Sequence, residues 1–250
     1  MTHAVTVRPD GTERSPPFVL VHGAANSAGV WTRWQRALAE RGFASHAVDL
    51  RGHGESEPID LSRTSMAGYA DDVRAVTASL DRKPVVMGWS MGGLVAMMVA
   101  AHGKAAACVG LAPSTPARKR DASVELREGE FGAEEYGITS RDPEHEHPAM
   151  PDLDREERAI AMASLGRESR YARDERKAGV VIESLPCPLL IVTGSADVQW
   201  PRERYHGLWL DADYASIDGA SHWGLVLSRR ALDVAVAAVV DWVEGLDVNV

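Results

Sequence analysis

Cysteine is scarce: Cys108 and Cys187 are the only two in 250 residues. Two thiols cannot build a disulfide framework, and their separation has no zinc-site spacing. Both precede strand-like runs, so buried free thiols in a reducing, cytoplasmic compartment are the expectation. Cations are outnumbered, with 27 Lys and Arg against 36 Asp and Glu and a formal net charge of −9. That balance argues against nucleic acid or an anionic membrane surface as partner, because both reward clustered positive charge. No apolar run approaches the ~20 residues needed to span a bilayer. The opening stretch MTHAVTVRPDGTERSPP lacks the unbroken apolar segment of a secretory signal. Internal repeats and low-complexity tracts are also missing.

What is present is a rhythm of short β-branched runs and longer helical patterns, which predicts an α/β fold with a mostly parallel sheet flanked by helices. Strands are expected at Ala4–Val7, Phe18–Val21, Ser45–Asp49, Pro84–Trp89, Ala107–Leu111, Leu189–Thr193 and Asp213–Ile217. The middle ones are apolar without alternation, as strands covered on both faces should be. Pro9-Asp10-Gly11 predicts a turn and a short hairpin after the first strand. Tyr69, Val73, Val76 and Leu80 fall on one helical face. Leu94–Ala101 reads as a helix buried nearly all round, and a last helix spans Arg229–Glu244.

From Thr115 to Glu183 the pattern changes to a highly charged stretch that still carries Phe131, Tyr136, Ile138, Met150, Leu153, Ile160, Met162, Leu165 and Tyr171. A linker has no use for nine bulky apolar residues. The expected organisation is therefore a core of residues 1–114 and 184–250, with 115–183 a small helical insertion over the sheet. Asp154 followed by Glu157 marks a helix start within it.

Gly88-Trp-Ser90-Met-Gly92 lies between a strand and a helix, the context a nucleophile elbow requires. Gly88 and Gly92 have to be small because neighbouring backbone crowds such a turn. A serine hydroxyl needs a base. Among nine histidines His222 is best placed, in a loop after the last strand and before the last helix, on the sheet edge where strand-to-helix turns emerge. An acid must orient that imidazole, and Asp197, after the preceding strand, emerges at the same edge. The oxyanion formed on attack needs backbone donors, for which the N–H groups of Met91 and Ala24 are the candidates. His22 is read as structural, and His145-Glu-His147 as solvated surface rather than a metal site. Ala25, Trp89, Trp200 and Trp223 are the candidate substrate contacts. No metal and no cofactor are called for.

His22-Gly23, Trp31, Asp49-Leu-Arg-Gly-His-Gly-Glu-Ser56, Gly88–Gly92, Gly194-Ser-Ala-Asp197 and Gly219-Ala-Ser-His222 together resemble the serine α/β-hydrolase superfamily. The resemblance covers both ends of the chain and omits only the insertion, which corresponds to that superfamily's variable cap. It implies the α/β-hydrolase fold, a triad of Ser90, His222 and Asp197, and a loop-stabilising role for Arg51 and His53. The segment Gly88–Ala96 is also similar to the elbow of pimeloyl-carrier-protein methyl ester esterases.

Serine at position 90 excludes the aspartate-nucleophile dehalogenases and epoxide hydrolases of the superfamily. The expected function is hydrolysis of a small-molecule carboxylic ester by a monomer or homodimer. Alternatives with the same triad are a thioesterase, a lactonase or a C–C bond hydrolase. The last needs Arg118, Lys119, Arg120 or arginines of the insertion to point inward. A ligand receptor that keeps the triad and a non-catalytic scaffold are the readings from other classes.

Overall fold

A computed structural model describes residues 2–246. Along the chain run β1 (His3–Val7), β2 (Arg14–Val21), α1 (Thr32–Glu40), β3 (Phe43–Asp49), α2 (Met66–Ala78), β4 (Val85–Trp89), α3 (Met91–Ala101) and β5 (Ala107–Leu111). The inserted segment contributes β6 (Glu130–Gly132), α4 (Arg155–Ser164), β7 (Arg167–Ser169) and α5 (Arg170–Ala178). The chain returns as β8 (Leu189–Gly194), β9 (Asp213–Ile217), α6 (Gly224–Leu227) and α7 (Arg229–Gly245).

Seven strands form one sheet in the order β1-β3-β2-β4-β5-β8-β9. Only β1 runs antiparallel to its neighbour; the other pairs are parallel. The hairpin expected from Pro9-Asp10-Gly11 does not form. Both edges of β2 are occupied, by β3 and β4. The turn therefore carries the chain past β2, and β1 pairs on the outer edge of β3.

Side chains of a strand alternate between faces, and here each face has its own core. Phe18, Leu20, Met87, Val109, Leu111 and Val192 pack on one side with Trp31, Trp34 and the apolar stripe of α7. Val19, Val21, Val86, Cys108 and Ile191 pack on the other with α2 and α3. Uninterrupted apolar runs are what this double burial demands. α3 is covered almost all round, with nine of its eleven residues buried. Both cysteines are free, Cys108 buried within β5 and Cys187 only partly covered.

The insertion adds to its two helices a two-stranded antiparallel sheet of β6 and β7, which no sequence pattern announced. α4 starts with a complete capping box: the Asp154 carboxylate accepts from the Glu157 N–H, and the Glu157 carboxylate accepts from the Asp154 N–H. Among the described residues no helix is long and apolar enough to cross a membrane.

Candidate active site

The turn from β4 to α3 holds Ser90 at φ 56°, ψ −119°, a left-handed conformation unusual for a residue with a side chain. Three backbone bonds hold it there. The Ser90 N–H donates to Leu111 C=O at 3.0 Å, and the Ser90 C=O accepts from Ser114 N–H at 2.8 Å and Gly93 N–H at 3.1 Å. The flanking glycines are required sterically. A Cβ on Gly88 would sit 2.0 Å from the Gly92 carbonyl oxygen, and one on Gly92 would sit 2.2 Å from that of Val21. Met91 opens α3, where a first-turn N–H has no intrahelical acceptor.

His222 and Asp197 come from the loops after β9 and β8. His222 Nδ1 lies 2.7 Å from Asp197 Oδ2. The other carboxylate oxygen, Oδ1, accepts from the backbone N–H groups of Gln199 at 3.0 Å and Trp200 at 2.9 Å. Burial alone would raise this carboxyl's pKa. The His222 contact and the two N–H donors outweigh it and hold Asp197 below the usual carboxylate range. An ionised Asp197 accepts the Nδ1–H, which leaves Nε2 of His222 with a free lone pair. Trp89 steadies the same loop by donating its indole N–H to the His222 carbonyl at 3.0 Å. Its ring also packs, tilted, against His222 at 5.2 Å and edge-on against Trp223 at 4.8 Å between centroids.

Ser90, Asp197 and His222 line one cavity of about 520 Å³, together with Ala24, Trp89, Trp200 and Trp223. Its far wall belongs to the insertion, including Tyr136, Ile138, Leu165 and Arg176. Ala25, expected among the substrate contacts, is set back from the cavity. It sits at φ 55° with its N–H donated to Glu168 and its C=O accepting from Gly166 N–H at 2.9 Å. Arg118 lies over the Trp209 ring at 4.8 Å, and neither it nor Lys119 nor Arg120 reaches the lining.

Two buried histidines, one just after β2 and one in the insertion, are fixed as structural groups. His22 donates Nδ1–H to Gly23 C=O at 2.8 Å and accepts the Leu50 N–H on Nε2 at 3.2 Å, so its ring is neutral. Burial lowers its pKa to about 4. His147, expected on solvated surface, is instead buried. It donates Nε2–H to Gly137 C=O at 2.7 Å and accepts the Ala149 N–H on Nδ1. Its ring is spent on holding the loop that forms the cavity wall. Among the described residues no group of three or more His, Cys, Asp or Glu is disposed to hold a metal.

Glu168 was not singled out from the sequence, yet it is fully buried beneath the site. It accepts from Ala25 N–H at 3.1 Å, Tyr69 O–H at 2.5 Å and Ser169 N–H at 2.7 Å, and faces His53 Nε2 at 3.7 Å. Nothing local marks it: a glutamate between Arg167 and Ser169 reads as surface. Arg51, by contrast, ties its loop to α2 through a two-pronged contact with Asp72, as the resemblance implied.

The model of the alpha/beta hydrolase family matches residues 18–238, most of the chain. The chain belongs to the alpha/beta hydrolase family. Within that family it is similar to the pimeloyl-[acyl-carrier protein] methyl ester esterase of Nitrosospira multiformis, at 39% identity over 87 residues. The matched stretch is 34% of this chain and 33% of that relative, so the likeness spans about a third of its length. Among solved alpha/beta hydrolases, the methylesterase MES16 from Arabidopsis superposes with a TM-score of 0.70 at 19% identity, covering 92% of this chain and 99% of that one. An esterase from Thermogutta terrifontis superposes with a TM-score of 0.67 at 21% identity, covering 97% and 93%. At those identities the likeness is one of fold.

Proposed function

We propose that this chain is a serine esterase that hydrolyses small carboxylic esters through an acyl intermediate on Ser90. The observation that carries the reading is the 2.7 Å contact between His222 and Asp197 in the wall of the cavity that Ser90 lines. The names of the related methyl ester esterases point to the same bond.

In this mechanism Ser90 Oγ attacks the ester carbonyl carbon while His222 Nε2 takes the hydroxyl proton. The carbonyl electron pair moves onto oxygen, where the N–H groups of Ala24 and Met91 stabilise it. Collapse of the tetrahedral species breaks the C–O bond, and the alcohol leaves with the proton from His222. Water then attacks the acyl-serine, gives its proton to His222, and the acid departs as that proton returns to Ser90. Asp197 stays ionised and holds the ring with Nε2 toward the serine. Residues 115–183 act as the cap, which closes the acyl and alcohol space over the elbow.

The test is turnover of p-nitrophenyl acetate by the wild type and by Ser90→Ala. The variant should lose essentially all activity and the initial burst of p-nitrophenol. Undiminished hydrolysis by Ser90→Ala would remove Ser90 as nucleophile.

A further inference from the structure

The cavity holds one cation that the esterase chemistry does not use. Arg176, in the last turn of α5, lines the cavity with Ser90 and His222. Its Nη2–H donates to the Tyr136 hydroxyl at 3.2 Å, and its buried Nε has no hydrogen-bond partner. Five other arginines of the insertion meet carboxylates, while Arg141 and Arg158 donate to backbone carbonyls. Arg127 meets Asp174, Arg155 meets Glu144, Arg167 meets Glu130, and Arg170 and Arg173 share Glu135. Among the described residues no carboxylate lies within ion-pair distance of Arg176. The carboxylate that acts on it from farther off, Glu168, already accepts three hydrogen bonds and faces His53. Asp197, the one acidic side chain in the lining, is taken by His222 and two backbone N–H groups.

A buried guanidinium N–H without an acceptor is costly. A ligand that enters the pocket can supply the acceptor, and a planar fork of N–H donors matches the two oxygens of a carboxylate. The chain as a whole carries −9 and repels anions, so an unpaired cation set inside the pocket selects locally for what the surface disfavours. The rest of the lining is mainly apolar, with Trp89, Ile138, Ala149, Leu165, Trp200 and Trp223 available to an aliphatic spacer.

We infer that the substrate is an ester bearing a free carboxylate at the end lodged under the insertion, and that Arg176, buttressed by Tyr136, receives it. This rests on the esterase reading and narrows it from esters in general to half-esters and their like. Arg176 is a specificity residue and takes no part in bond breaking.

The test compares kcat/KM at constant ionic strength for two series. Monomethyl esters of succinic, glutaric, adipic and pimelic acids put the carboxylate on the acyl side. Acetyl esters of ω-hydroxy acids of matching length put it on the alcohol side. Each is paired with the neutral compound in which the carboxylate is itself a methyl ester. In one series the wild type should favour the acid by about tenfold or more, through KM. The ratio should collapse toward one in Arg176→Met and be only partly kept in Arg176→Lys, which has charge without the fork. Equal rates for acid and neutral partner throughout both series, or a preference that survives Arg176→Met, would overturn the inference.

Failure of the esterase reading is told apart by tryptophan fluorescence of Ser90→Ala protein titrated with monomethyl and dimethyl adipate, which reads binding without turnover through Trp89, Trp200 and Trp223. Tighter binding of the monoester, lost in Ser90→Ala/Arg176→Met, supports the carboxylate site even if no ester is cleaved. Equal binding of the two there counts against it.

Discussion

The carboxylate of Glu168 accepts a hydrogen bond from the backbone N–H of Ala25 at 3.1 Å, joining groups 143 residues apart. One belongs to β7 of the insertion and the other to the turn after β2, beside Ala24. Gly166 N–H, just before that strand, grips the Ala25 carbonyl, and Ser164 Oγ donates to Asn26 Oδ1 at 2.9 Å. The insertion reaches the histidine loop too, where the Ser221 N–H donates to Asp152 Oδ2 at 3.0 Å. The segment over the cavity therefore does more than roof it. It positions the backbone turn whose N–H is proposed to meet the oxyanion.

Replacing Glu168 by Ala should accordingly damage both stability and rate. It strands the Ala25 N–H and removes the carboxylate that His53 Nε2 faces, at a cost of about 3 kcal/mol. Urea denaturation should show the lower midpoint, and kcat for p-nitrophenyl acetate should fall further than KM rises. Glu168→Gln, which keeps an acceptor and loses the charge, should lie between. Full stability and full kcat in Glu168→Ala would dissolve the link between insertion and oxyanion turn.

Acid should unfold the protein in two stages with different causes. Burial, helped by neighbouring His53, lowers His22 from 6.5 to about 4. Between those values the unfolded chain binds a proton that the folded chain refuses, so stability drops as the pH falls through that window, by on the order of 3 kcal/mol. Glu168 acts lower down. Burial opposes its charge, but the attraction of His53 prevails and brings it from 4.5 to about 2, so its contribution is present above pH 4.5 and lost as the pH falls toward 2. His53 is the converse case: burial disfavours its charge, Glu168 outweighs burial, and its raised pKa gives stability that is lost as the pH rises through that value. Urea midpoints measured across pH for the wild type and His22→Gln check the upper stage. The variant should show a shallower slope between 6.5 and 4, and an unchanged slope would remove His22 as its source.

What could be read in the sequence was what local geometry dictates. Gly88 and Gly92 betray the elbow because the crowding that excludes a Cβ comes from backbone that any strand–turn–helix of this kind brings close. Val85–Trp89 and residues 189–192 read as interior strands because burial on both faces leaves apolar runs without alternation. Long-range pairing was hidden. The turn at Pro9-Asp10-Gly11 could not reveal that β4 takes the free edge of β2, nor could Glu168 reveal that Ala25, Tyr69 and His53 surround it. α1 carries little signature in the sequence, because its exposed face is polar and its buried one is short, Trp34, Gln35, Ala37 and Leu38. In the sequence Arg176 is one more arginine in a charged segment, since its missing partner is a property of the fold.

The elbow glycines give a sharp steric test. In Gly92→Ala the new methyl would sit 2.2 Å from the Val21 carbonyl oxygen and 2.4 Å from that of His22. Neither backbone can retreat without parting β2 from β4 or moving α3. A loss of 3 kcal/mol or more, or failure to accumulate as folded protein, is expected. Gly11→Ala, where nothing lies within 4 Å, is the control and should change the urea midpoint little. Comparable stability of the two variants would show that the turn has room the contacts deny.

Asp197→Asn tests orientation apart from charge burial. The asparagine can keep the Gln199 and Trp200 N–H bonds on its oxygen, so the loop should hold and the denaturation midpoint should move by less than about 1 kcal/mol in free-energy terms. What changes is the partner of His222 Nδ1. An amide N–H₂ facing that nitrogen favours the tautomer with the proton on Nε2, the atom that must be bare to accept from Ser90. The acyl transfer then lacks its base, and kcat should drop by ~10⁴-fold with KM nearly constant, since nothing that touches the ground-state ester has been altered. The measurement is steady-state hydrolysis of p-nitrophenyl acetate alongside urea denaturation. A folded Asp197→Asn protein with wild-type kcat would mean that another carboxylate orients the imidazole, although Asp197 is the residue that lies 2.7 Å from its ring nitrogen.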